Sequence, residues 1–161
     1  MQETKFQVTS IGEVVADGEM FAIQLNPKLR SVMKGLQGFS HLQVYWWAHE
    51  NDKQQLRKVY TVSKPYKKGP AELGIFATRS PIRPNPLAMT LVPVTFLDED
   101  AGRIGLAFID AFPGTPVLDI KPYYGWERVK EYSLPVWCSH WPAWYEDSAN
   151  FDWEAEFENA K

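Results

Sequence analysis

Residues 73–98 read "LGIFATRSPIRPNPLAMTLVPVTFLD", and this stretch decides the architecture. Two apolar, branched runs, "LGIFAT" (73–78) and "LAMTLVPVTFLD" (87–98), predict strands. Between them lie Pro81, Pro84 and Pro86 together with Arg79 and Arg83. Each proline fixes its own φ at roughly −65° and pushes the residue before it (Ser80, Arg83 or Asn85) toward extended backbone. The loop is therefore stiff before it meets anything, and its backbone groups and Arg79 lose little freedom on binding. A rigid crossover between two strands would need the same prolines, so stiffness alone does not choose between scaffold and ligand cradle.

Outward from this stretch the pattern repeats. "FQVTSIGEVVA" (6–16) and "MFAIQL" (20–25), split by "DGE", predict a hairpin. Residues 26–38, "NPKLRSVMKGLQG", predict a short helix, with Asn26 as cap, Pro27 in its first position and Gly35 and Gly38 at its end. "FSHLQVYWWA" (39–48), "VYTVS" (59–63), "IGLAFIDAF" (104–112) and "TPVLDIKPY" (115–123) predict further strands, separated by polar or Pro/Gly-punctuated turns. Seven or eight strands with few, short helices predict a mainly β domain, a barrel or sandwich, and not a doubly wound α/β fold. The sequence accordingly holds no GxGxxG, GxxxxGK[ST] or GxSxG element.

The chain's 161 residues suffice for one domain with a core. A single cysteine, Cys138, excludes an internal disulfide, fits a reducing cytoplasm and removes the common zinc patterns, so no metal is expected. No apolar run approaches a membrane span, and none is expected. Net charge is −3, but its distribution is uneven. Residues 57–83 hold seven bases against one acid, whereas residues 146–158 hold six acids and no base. The first patch suits phosphate, although lysine-rich loops also serve solubility alone.

Three places carry candidate chemistry. The proline loop offers Arg79. "YWWAHEND" ends an aromatic strand in His49 and Glu50, where a barrel rim would gather a site. "FIDAFPGTPVLDIKPY" sets Asp110 and Asp119 at strand edges flanking the Pro113-Gly114 turn. Paired surface aspartates are common, and either could clamp a hydroxylated ligand or serve as a base.

"GFSHL" (38–42), "GIFATRSPIRPNPLAMTLV" (74–92) and "GTPVLDIKPY" (114–123), in this order and spacing, strongly resemble the TsaA-like domain of the tRNA methyltransferase O family, with a weaker start at "IGEVV" (11–15). The resemblance covers residues 35–124. It implies a compact single-domain β-barrel with short helices over residues 1–137; residues 138–161 read as an acidic, tryptophan-rich C-terminal extension. It further implies a cytoplasmic homodimer that binds S-adenosyl-L-methionine and methylates N6 of threonylcarbamoyladenosine-37 in tRNA. The donor-binding segments of the family fall on His49 and Glu50, on Arg79 and Met89, and on Ala107, Phe108, Ile109 and Asp110. Arg83, Asn85 and Lys121 become candidates for touching the acceptor, and Asp119 and Tyr123 are the candidate catalytic groups. The family's "SPY" or "SPF" and "P-x-Q" elements are missing after the opening strand, and the acidic tail stands where longer members carry an extra domain. Two other readings keep the donor site and change the rest: methyl transfer to a small molecule, and a non-catalytic module that binds S-adenosylmethionine or a nucleotide.

Overall fold

In the computed structural model, which describes residues 4–18 and 20–160, six strands close into an antiparallel barrel. These are β1 (Gly12–Asp17), β2 (Met20–Leu25), β3 (His41–Trp47), β6 (Leu87–Asp98), β7 (Arg103–Leu106) and β8 (Pro116–Pro122), in the spatial order β1-β2-β7-β6-β3-β8. The short strands β4 (Thr61–Ser63) and β5 (Glu72–Gly74) pair separately as a two-stranded ribbon. The mainly β barrel matches the fold expected from the sequence.

Strict alternation explains the barrel. Along β3, Leu42, Val44 and Trp46 are buried while His41, Gln43, Tyr45 and Trp47 face outward. The inward residues join Val14, Ile23, Leu25, Val92, Ile104, Leu106 and Val117 in one core. The barrel closes through a short seam, where Gly12 and Glu13 pair with Val117 and Pro116. Gly12 is required here by space, because a Cβ at this position would lie 2.3 Å from the carbonyl oxygen of Gln24.

Four expected elements differ. The first strand, expected from residue 6, begins only at Gly12. The helix of residues 26–38 is a tight 3-10 turn over Pro27–Met33, capped as read by the Asn26 side chain, which accepts from Lys28 N at 3.1 Å. Seven residues give too few bonds to repay helix nucleation. The strand of 73–78 ends at Gly74. Thr78 Oγ1 donates to Ile75 O at 2.8 Å and folds Ile75–Ala77 into a turn. The strand of 104–112 stops at Leu106, because its neighbour in β6 is Pro93. Ala107 N donates to Pro93 O at 3.0 Å, but the proline has no N–H to return, and the ladder ends there.

Chain contacts divide the molecule into two compact units: residues 1–51 with 86–127, and residues 52–85 with 128–161. The first is the barrel. In the second, the C-terminal segment docks on residues 63–67: Tyr66 bridges to Phe157, Lys67 N donates to Glu156 O at 2.9 Å, and Glu158 N donates to Pro65 O at 3.0 Å. Buried Tyr66 stacks on Trp137 at 5.1 Å and meets Trp141 edge-on at 5.0 Å, and Trp153 packs edge-on against Trp141 at 5.4 Å. A single helical turn, α1 (Trp153–Glu156), is capped by Asp152, whose side chain accepts from Ala155 N at 2.9 Å. Cys138 is buried, with its thiol toward Pro135 O.

Candidate functional site

Strand register brings several chain ends to one rim of the barrel. The end of β3 lies beside the start of β6, with Trp47 opposite Leu87. The end of β7 lies beside the start of β2, with Leu106 opposite Phe21. β8 begins at this end as well, since Val117 lies opposite Trp46. His49 and Glu50, both exposed, follow β3 directly, and Ala48 N donating to Pro86 O at 2.8 Å pins their turn to the start of β6. Met89 stands two residues into β6, opposite Tyr45 on the outer face and 37% exposed.

Ala107–Asp110 leave β7 at the same rim, released from the sheet by Pro93. Ala107, Phe108 and Asp110 are exposed, whereas the Ile109 side chain is buried in the core and anchors the loop. Met20 and Phe112, which sequence reasoning does not single out, add exposed apolar surface to this rim. Their signal was modest: Met20 opens a strand, and Phe112 precedes a Pro-Gly turn and so falls outside the core.

The rim thus combines apolar side chains with two carboxylates and an imidazole. That mixture fits a ligand carrying a planar ring, an apolar chain and an ammonium group, as S-adenosylmethionine does. Uncovered apolar surface can take a planar ring, and carboxylates can attract cationic groups.

Of the candidate catalytic residues, Tyr123 lies elsewhere and Asp119 lies level with Met89. β8 runs away from the rim, so Tyr123, seven residues beyond Pro116, stands roughly 23 Å along the strand. Its backbone N donates to His41 O at the opposite end of the barrel. Asp119 sits mid-strand on the outer face opposite Tyr45 and forms an ion pair with Lys121. The Lys121 ammonium is itself 5.7 Å from the Tyr45 ring centroid. Asp119 raises the pKa of Lys121 through a hydrogen bond and its charge.

Arg79, Arg83 and Asn85 belong to the second unit. Their loop is held by successive side-chain turns: Ser80 N donates to Thr78 Oγ1 and Ile82 N to Ser80 Oγ, each at 3.2 Å. Arg57, itself paired with Asp52, donates to Pro84 O at 3.2 Å. Hydrogen bonds therefore add to the stiffness that the prolines predict. Arg79 is exposed, and its charge is felt by the buried Tyr66 phenol, whose pKa burial nevertheless raises. No group of three or more His, Cys, Asp or Glu able to hold a metal occurs among the described residues. No helix among them is long and apolar enough to cross a membrane.

Comparison with known proteins places this geometry in context. A tRNA (adenine(37)-N6)-methyltransferase of Escherichia coli is 39% identical over 110 residues, covering 67% of this chain and 46% of that protein. A probable S-adenosyl-L-methionine-binding protein of Pyrococcus horikoshii is 32% identical over 121 residues, covering 75% of this chain and 85% of its own. The crystal structure of TrmO from Pseudomonas aeruginosa superposes with a TM-score of 0.60 at 25% identity, covering 81% of this chain and 62% of that one. This chain therefore spans less than half of the bacterial enzyme but most of the archaeal protein. Residues 3–126 match the family description, and the chain belongs to the tRNA-methyltransferase O N-terminal domain family.

Proposed function

We propose that the protein transfers a methyl group from S-adenosylmethionine to N6 of the modified adenosine at position 37 of tRNA. The observation that carries this reading is the family match over residues 3–126, whose relatives include proteins named for that activity. The barrel rim supports it by gathering His49, Glu50, Met89 and the Ala107–Asp110 loop, as that activity requires of a donor site.

The bound donor supplies a sulfonium-activated methyl group, and the chain's own residues have to align it. In-line displacement depends chiefly on positioning, which a stiff loop and short, pinned turns provide. Met89 and Phe108 offer apolar contact that favours loss of charge at the reacting centre. Glu50 or Asp110 holds the ammonium or ribose hydroxyls, and Arg79 pairs with the donor carboxylate. Tyr123 stands at the far end of β8 from the rim, which leaves Asp119, opposite Tyr45 as Met89 is, as the candidate base for the acceptor nitrogen. Arg83, Asn85 and Lys121 remain the proposed acceptor contacts. The protein works as a homodimer, in the cytoplasm where its tRNA substrate resides.

Calorimetric titration of S-adenosylmethionine into wild type and Arg79→Ala tests the donor site. Saturable binding weakened roughly tenfold or more by the substitution is expected from loss of a charge-assisted pair. No binding by folded wild type would overturn the reading. A second reading, a donor-binding module without turnover, draws on archaeal relatives named only for binding. Transfer of radiolabelled methyl to tRNA lacking the modification separates the two.

A further inference from the structure

In the second unit, Phe76 is 80% exposed and Tyr60 is 64% exposed. Neither position is slack. Ile75 N donates to Tyr60 O at 2.8 Å, and Thr78 N donates to Ile75 O at 3.1 Å. Ile75 and Thr78 are both buried and fix the turn on either side of Phe76. The ring therefore cannot swing inward without unseating two anchors. A phenylalanine held outward in this way forgoes its share of hydrophobic stabilisation.

The surroundings indicate what the ring is for. The guanidinium of Arg83, set between Ile82 and Pro84, lies 5.8 Å from the Phe76 ring centroid. A cation over one face of an aromatic ring backs it with positive charge and leaves exposed ring surface for stacking. The segment that carries it holds seven bases and one acid between residues 57 and 83. Exposed Lys58 sits two residues before Tyr60, and exposed Lys67 and Lys68 follow β4. A protein partner would call for an apolar surround; an unpaired nucleic-acid strand calls for a π face flanked by cations, because every base can stack and every nucleotide brings a phosphate.

We infer that Phe76 and Arg83 form a stacking platform for an unpaired base of the RNA substrate, with Tyr60 as a second aromatic contact and the neighbouring lysines meeting phosphate. This rests on the tRNA reading above and names the part of the chain that holds the single-stranded region next to the target. The anticodon loop, where position 37 lies, presents such bases.

The test is fluorescence anisotropy of a labelled anticodon stem-loop RNA against wild type, Phe76→Ala, Phe76→Leu and Phe76→Trp. Each protein is also titrated calorimetrically with S-adenosylmethionine. Loss of one stacked base predicts affinity for RNA falling roughly 5- to 100-fold in the Ala and Leu variants. The Trp variant retains binding, donor affinity is unchanged, and the salt slope stays that of wild type because no phosphate contact is lost. The Leu variant keeps apolar bulk without a π face, so it reports on stacking even where Ala perturbs folding. Equal RNA affinity in wild type and the Leu variant overturns the platform and leaves the tRNA reading standing. Wild type that binds donor but no RNA overturns both.

Discussion

Gly105 shows how tightly single residues are constrained in this barrel. A Cβ there would lie 2.2 Å from the Phe96 ring and 2.5 Å from Thr95 Oγ1, across the β6–β7 pairing. Gly105→Ala is expected to cost about 1–3 kcal/mol through overpacking, read as a lower urea midpoint with unchanged m-value. An unchanged midpoint would mean that the ring moves aside freely. At the same scale, Ile109→Ala removes the anchor that roots the Ala107–Asp110 loop in the core. Truncation of a buried isoleucine costs about 2–5 kcal/mol, and if the loop holds the donor as proposed, donor affinity should weaken beyond what lost stability explains. Donor calorimetry well below the melting temperature checks this, and wild-type affinity there would show that Ile109 serves packing alone.

At the scale of the element, Pro93 decides where a strand becomes a loop. Its carbonyl takes the Ala107 N–H, and its missing N–H would otherwise face the same neighbour. Pro93→Val therefore adds a ladder bond and extends β7. The expected result is about 0.5–1.5 kcal/mol of added stability together with several-fold weaker donor binding, as the loop is drawn into the sheet. Unchanged donor affinity in a stabilised variant would disconnect the two. The same proline explains what could be read in advance. The bounds of β6 were legible to the residue, because apolar alternation and the turn "DEDAGR" lie within its own sequence. The end of β7 was not, since the stop comes from a partner strand whose register the sequence does not display. Likewise, His49 and Glu50 were legible as a rim because they end a strand. Asp119 and Tyr123 could be placed only once the direction of β8 was known.

Across the whole molecule, the second unit depends on its acidic tail in a way that pH should reveal. Buried Glu156 accepts from Trp141 Nε1 at 3.2 Å and lies 2.9 Å from His140 Nε2. The hydrogen bond from His140 is the main cause that holds its carboxyl below the usual range, with Trp141 and the charge of Lys68 adding to it. A depressed carboxyl contributes its stability in full above the ordinary glutamate range of about 4.3 and loses it as pH falls through the folded-state value. Tryptophan-detected unfolding should therefore show a steep acid limb that Glu156→Gln flattens. Parallel limbs in the two proteins would remove Glu156 from the account.

The pairing of Tyr66 with Phe157 joins residues roughly ninety positions apart, and this sets an order of events during synthesis. At about 5–20 residues per second, Tyr66 leaves the ribosome some 5–20 s before the segment that will cover it. β1, β2 and β3 precede Tyr66 and the other three barrel strands emerge within that interval, so the barrel has time to close while the aromatic centre of the second unit is still open. A nascent chain halted after β8 would carry a finished barrel and a bare Tyr66, a state in which chaperones, and not the tail, meet that surface first.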